Sequence, residues 1–261
     1  MTSNPAVLAG PPGDCCFSKG VKHSGTPVGR TETIGGVQTY VSEPSQSQSN
    51  NAGTAKNVIL FMSDIWGPFK ENAQLLQDYF AENGFYVVGL DYFFGDTVDK
   101  HDDEPNFDRM TWVKEKKVIA DEAAVKWFKA VKEIYGSNAK YCAVGYCFGA
   151  PYVLEWATTD EIVAGAFAHP ALLNEDHFSK IKKPLFMSCA ETDPTFPLPA
   201  RRRAEDLLIE AKAQYCIHVF SGVAHGFATR GDPNQNDSRW AKEESASSIG
   251  RWFQRFTRES K

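Results

Sequence analysis

The sequence predicts an α/β fold, a mainly parallel, doubly wound sheet flanked by helices, and three observations predict it. Apolar runs of strand length recur at Val58–Met62, Tyr86–Leu90, Tyr141–Val144, Val163–Ala168, Leu185–Cys189 and Tyr215–Phe220. The first of these is apolar throughout, as a strand buried on both faces of a parallel sheet is. Segments of helical periodicity separate the runs, and strand–helix alternation at this spacing marks a layered α/β architecture.

In chain order, residues 1–30 are rich in Gly, Pro and Ser and are expected as an irregular arm, with residues 31–261 forming one domain. Val37–Ser42 alternates as a short strand entered from the Gly35-Gly36 turn. Residues 45–56, mostly Ser, Gln, Asn and Gly, read as a flexible surface loop. Ala73, Leu76 and Phe80 give a helix between the first two core strands, which makes a βαβ unit. Residues 91–110 carry aromatics and acids with little periodicity, so a pocket wall is expected there. Ile119, Ala123, Trp127, Ala130 and Ile134 mark one face of a long helix closed by Gly136. A His169-Pro170 loop follows the fourth strand, a helix lies near residues 200–211, and Trp240, Ile249, Trp252, Phe253 and Phe256 predict a last helix packed on the sheet.

The strand at Tyr141 ends in Gly145-Tyr146-Cys147-Phe148-Gly149, a nucleophile elbow of the form G-x-C-x-G. A side chain that attacks a carbonyl must stand clear of the backbone, and a tight strand-to-helix turn achieves this at the cost of main-chain strain. The N–H of Phe148 then lies at a helix N-terminus, where an oxyanion and a thiolate are both favoured. A buried structural cysteine is the alternative reading of Cys147 alone.

Ligands meet such a sheet at the carboxyl ends of its strands, and two further residues stand there. Asp193 follows the strand at Leu185, and His225 follows the strand at Tyr215. The order Cys147, Asp193, His225 is that of nucleophile, acid and base in α/β-hydrolases. Taken singly, Asp193 could start a turn and His225 could cap one, and Glu191 is an alternative acid. A second oxyanion donor is expected after the first core strand, where Ser63-Asp64-Ile65-Trp66-Gly67 offers the N–H of Ile65.

Other classes find little support. With 28 Lys and Arg against 33 Asp and Glu the net charge is −5, and no block of like charge exceeds Arg201-Arg202-Arg203, so no nucleic-acid partner is expected. The Arg run reads as a solvated first helical turn. No G-x-G-x-x-G follows the first strand, which leaves a dinucleotide cofactor without a motif. Cys15, Cys16 and His23 fall short of a four-ligand site, so neither metal nor cofactor is expected. Six cysteines in 261 residues read as reduced thiols. Without a signal-like start or a window of about 18 apolar residues, a soluble cytoplasmic protein with no membrane partner is expected.

Taken together, Cys15-Cys16-Phe17, Gly35-Gly36-Val37, Asp64-Ile65-Trp66-Gly67, the Cys147 elbow and His225-Gly226-Phe227-Ala228 resemble the dienelactone hydrolase family, especially its fungal members, over nearly the whole chain. The resemblance implies a single-domain α/β-hydrolase without a large lid, acting through a Cys-Asp-His triad on lactones and small esters. It also implies that Asp64 stands where bacterial members have a thiol-orienting glutamate. Those members have carboxylate-gripping arginines as well. Here Asp91-Tyr92-Phe93-Phe94-Gly95-Asp96 has none, and Thr229 stands four residues past His225, with Arg230 next. Trp66, Phe93, Phe94, His169, Phe227 and Arg230 are the candidate pocket residues, with core packing the alternative for the aromatics.

The expected activity is acyl transfer from an ester, lactone or thioester through a covalent enzyme on Cys147. Water as acceptor gives a hydrolase. An internal hydroxyl gives a polyketide thioesterase that closes a macrolactone, as some fungal enzymes resembling this family do, and a carrier-protein-bound acyl chain would then be a partner. A non-catalytic thiol redox sensor or binding module is the reading from another class.

Overall fold

The computed structural model of the chain describes residues 4–45 and 55–258. Most of the loop expected at residues 45–56 therefore lies outside the described residues. In chain order the elements are β1 (Val7–Ala9), α1 (Asp14–Phe17), β2 (Arg30–Ile34), β3 (Val37–Ser42), β4 (Asn57–Met62), α2 (Glu71–Glu82) and β5 (Tyr86–Leu90). A 3-10 turn (Val98–His101), α3 (Arg109–Tyr135), β6 (Lys140–Cys147), α4 (Ala150–Ala157), β7 (Ala164–Pro170), β8 (Leu173–Asn174) and α5 (Glu175–Ser179) come next. The chain continues through β9 (Leu185–Thr192), α6 (Leu198–Glu210), β10 (Tyr215–Ala224), α7 (Phe227–Arg230) and α8 (Asn236–Thr257). Two compact units result, one of residues 22–141 and one of residues 1–21 with 142–261.

In the unit of residues 22–141 the strand order is β4-β5-β3-β2. β4 and β5 pair in parallel, joined by α2, whereas β3 runs antiparallel to both β5 and β2. Val58 to Met62 are all fully buried, the environment their apolar run predicts. β2 is an addition to the strands expected from the sequence, in which Gly35-Gly36 reads as the entry to one strand. Both glycines have positive φ, +57° and +83°, so they form the two-residue turn that joins a hairpin pairing Ile34 with Val37. On the apolar face of α2, Asp78 is buried and satisfied: its carboxylate accepts from the hydroxyls of Ser42 (2.7 Å) and Tyr40 (3.0 Å) and from the N–H of Val28 (2.9 Å). Asp78→Ala is expected to destabilise the protein by about 1–3 kcal/mol in urea unfolding, because it strands buried donors.

The buried stripe of α3 corrects the one read from the sequence. Ala123 and Trp127 of the expected face are buried, with Trp112, Ala120, Ala124, Val131 and Tyr135 beside them, whereas Ile119 and Ile134 are exposed. Trp127 sets the phase by donating from its indole to Thr39 Oγ1 at 2.9 Å, a requirement that apolar spacing does not reveal. Residues 91–108 are a built loop: Asp91 accepts the N–H groups of Phe93 and Gly95, and the His101 ring stacks on Phe107 at 4.0 Å.

The other unit carries four parallel strands in the order β10-β9-β7-β6. Cys147 ends β6, and Asp193 and His225 directly follow β9 and β10. His169 and Pro170, expected in a loop, close β7, where the register shifts at His169 and Pro170 pairs with Cys147 of β6. Trp240, expected in the packed face of α8, is 59% exposed, whereas Ile249, Trp252 and Phe253 are buried as expected. The Arg run lies within α6, not at its first turn, where Arg203 pairs with Glu175 (2.8 Å) and Glu210 (3.0 Å). The arm is stitched down. Leu172 N–H donates to Gly10 O (2.8 Å), Glu175 N–H to Ala6 O (3.0 Å) and Gly10 N–H to Thr195 O (2.9 Å), while β1 pairs with β8. Among the described residues no helix is long and apolar enough to cross a membrane.

Candidate active site

Cys147 ends β6 with φ +49°, a left-handed conformation that a residue with a Cβ adopts at a cost of about 1–3 kcal/mol. The turn is closed by Gly149 N–H on Tyr146 O (2.9 Å) and leads into α4. Gly145 is what lets α4 approach: a Cβ there would stand 2.5 Å from the carbonyl oxygen of Gly149 and 2.8 Å from Cα of Ala150. Both are backbone atoms that cannot swing away. Gly145→Ala is expected to lower the melting temperature by several degrees, on the order of 2 kcal/mol, and to lower activity by tilting the elbow; wild-type values for both would show that the turn tolerates the extra atom.

Asp193 follows β9 directly and is fixed from several sides. Its Oδ1 accepts the N–H groups of Thr195 (2.9 Å) and Phe196 (3.0 Å), and its two oxygens lie 2.9 and 3.0 Å from Nδ1 of His225. Glu191, the alternative acid, points elsewhere and accepts the N–H of Gly222. His225 follows β10, with its own N–H bound to Thr192 O (3.1 Å) and with Gly226 beyond it at φ +91° turning the chain into α7. Its side chain is fully buried.

The far side of the imidazole holds a residue that acyl-transfer reasoning left out. Cys16, from α1 in the arm, places its Sγ 3.2 Å from His225 Nε2, and Cys147 donates to the same sulfur at 3.5 Å. Cys15 Sγ lies 3.9 Å from Cys16 Sγ and 3.6 Å from Thr195 Oγ1. The chain of groups therefore runs Asp193, His225, Cys16, Cys147. The sequence singled out Cys15-Cys16, but nothing in local spacing carries an arm to a strand end more than a hundred residues away.

The sequence profile described as the dienelactone hydrolase family matches residues 37–257. The chain belongs to the dienelactone hydrolase family. It is a hydrolase of that family, and its relatives include "Dienlactone hydrolase 1" of Gibberella moniliformis, 37% identical over 96% of each chain. "Hydrolase tropI" of Talaromyces stipitatus is 31% identical over 97% of this chain and 100% of that one. Among solved structures, a putative dienelactone hydrolase from Klebsiella pneumoniae superposes with a TM-score of 0.71 at 15% identity, covering 88% of this chain and 99% of the other, a likeness of fold. The α/β-hydrolase fold and the family membership expected from the sequence are thus both observed.

Electrostatics divide the two histidines of this dienelactone hydrolase-family site. Burial draws the pKa of His225 down, but the Asp193 carboxylate at Nδ1 and the Cys16 sulfur at Nε2 outweigh it and push the imidazole up to about 10. His169, whose ring centroid is 4.9 Å from that of His225, is wholly buried and held well below its usual pKa, first by burial and then by the charges of His225 and Arg230. Contact with Cys147 raises the Cys16 thiol, and contact with Cys16 raises that of Cys15.

Because folding raises His225 from 6.5 to about 10, its contribution to stability is full below pH 6.5 and is lost as the pH climbs through about 10. Urea midpoints measured across that window should fall in the wild type and fall less in Asp193→Asn. Equal slopes would show that the carboxylate does not set the imidazole's affinity for its proton.

The remaining candidates divide between the units. A cavity of about 260 Å³ is lined by Cys15, His225, Gly226, Phe227, Arg230 and Ser238, among others, so Phe227 and Arg230 stand beside the imidazole. Arg230 reaches the carbonyl of Cys15 at 3.5 Å and the hydroxyl of Thr229 at 3.3 Å. In the unit of residues 22–141, Asp64, Ile65 and Trp66 form the buried turn after β4, with Asp64 Oδ1 accepting the N–H of Trp66 at 3.0 Å. Phe93 there is fully buried and stacked on Trp112 at 5.6 Å, whereas Phe94, at φ +53°, is 53% exposed.

Proposed function

We propose that the chain hydrolyses a small ester, lactone or thioester through a covalent acyl-enzyme on Cys147, with His225 as the proton carrier and Asp193 as its anchor. The observation that carries this reading is the buried Asp193–His225 pair, 2.9 Å apart, linked through one sulfur to a cysteine on a strained elbow. The thiolate is the attacking form of a cysteine. An imidazole that keeps its proton at neutral pH supplies the proton that the departing alcohol or thiol needs.

As the sulfur bonds to the carbonyl carbon, the carbonyl π electrons move to oxygen, and the N–H of Phe148 ahead of α4 is the donor we assign to that oxyanion. Collapse expels the leaving group with the proton from His225. The neutral imidazole then takes a proton from water, whose oxygen attacks the thioester, and the acid leaves as the Cys147 sulfur is released beside a reprotonated His225. The family and the name of the Gibberella relative favour a lactone or small ester, and Arg230 beside the cavity suits an acyl group that carries negative charge.

Product analysis tests the acceptor. A simple ester, a dienelactone and a long-chain hydroxyacyl thioester should each give free acid wherever they react. A lactone as the sole product from the thioester would replace hydrolysis with cyclisation.

A further inference from the structure

Acyl transfer as written leaves the Cys16 thiol without a task, although it lies between the nucleophile and its histidine. We propose that Cys16 and Cys147 form a reversible oxidation site, closing to a disulfide when the protein meets a hydroperoxide.

The geometry is already close to the product. The two sulfurs lie 3.5 Å apart and both residues are fully buried. A disulfide is about 2.05 Å long, so the approach needed is about 1.5 Å, within reach of side-chain torsions. Cys16 is not a passing contact of a loose tail, because Gly10 and Ala6 of the same arm are hydrogen-bonded to Leu172, Thr195 and Glu175. The neighbouring pair is less suited: Cys15 and Cys16 have their sulfurs 3.9 Å apart and, being adjacent, would close a tight ring across their own peptide.

The chemistry balances with the hydroperoxide as oxidant. The Cys147 sulfur attacks the terminal peroxide oxygen, the O–O bond breaks, and the other oxygen leaves as alcohol, or as water from hydrogen peroxide, carrying one proton. Cys147 becomes a sulfenic acid. The Cys16 sulfur then attacks the Cys147 sulfur, the S–S bond forms, the S–O bond breaks, and hydroxide departs as water. Its proton comes from His225 Nε2, 3.2 Å from the Cys16 sulfur, and the proton lost by Cys16 replaces it. Two thiols give up two electrons and the peroxide accepts both. The disulfide removes the nucleophile from acyl transfer and shields it from the irreversible sulfinic state. An external dithiol reverses the step: one of its sulfurs attacks the Cys16 sulfur and displaces Cys147, and the other then displaces Cys16 from the mixed disulfide.

The test is mass spectrometry of the full chain titrated with hydrogen peroxide, followed by non-reducing peptide mapping. The wild type should lose about 2 Da, with the peptide bearing Cys15 and Cys16 joined to the peptide bearing Cys147, and dithiothreitol should reverse both. Cys15→Ser should keep the joined peptides. Cys16→Ser, checked for wild-type circular dichroism, should lose them and gain about 32 Da at Cys147 instead, resistant to dithiothreitol. The proposal is overturned if wild type and Cys16→Ser gain about 32 Da at Cys147 equally fast, or if the joined peptides persist in Cys16→Ser. Mass is read without turnover, so these outcomes stand apart from any failure of the acyl-transfer reading.

Discussion

Cys147→Ala is expected to lose on the order of 10⁶-fold in kcat against any substrate the wild type turns over, with the fold intact. The fold should survive because alanine meets the same backbone conformation, φ +49°, at the same modest cost as cysteine and leaves little void. Activity should not survive, because the elbow presents this one sulfur at the head of α4, and without it no acyl-enzyme forms. Cys16 tests the assignment from within the site, since it is the thiol that contacts His225 directly. Retention of wild-type rates in Cys147→Ala, together with their loss in Cys16→Ala, would move the nucleophile to the arm.

His225→Ala is expected to cost about 10²–10⁴-fold, the usual worth of a placed acid–base group, and to abolish the alkaline limb of the wild-type pH profile. The sign follows from the raised pKa. The protonated imidazole is needed to release the leaving group, so wild-type kcat/KM should decline as the pH rises toward about 10. The residual activity of His225→Ala should show no such decline. A decline at the same pH in the variant would assign that titration to another group.

Much of this was legible in the residues, and the reasons are local. A run such as Val58–Met62 has one stable environment, and a glycine-flanked cysteine between strand and helix has a geometry that can be named in advance. The Asp193–His225 pair was readable because each residue sits within a few positions of a strand end, where the sheet brings loops together. What escaped depends on partners distant in sequence. The phase of α3 is set by Trp127 donating to Thr39, and β2 exists because Ile34 pairs back on Val37. Cys16 is the sharpest case. A Gly- and Pro-rich arm has no periodicity to place it, and its position is fixed by backbone bonds to Thr195, Leu172 and Glu175.

The most direct test of the central claim is to trap the acyl-enzyme. Wild-type protein would be quenched in acid during turnover of an ester or lactone, digested, and mapped for the added acyl mass. A covalent mechanism on the elbow predicts the acyl group on the peptide bearing Cys147, lost on hydroxylamine treatment and lacking in Cys147→Ala. Acyl mass on Cys16, or steady turnover in Cys147→Ala, would contradict it.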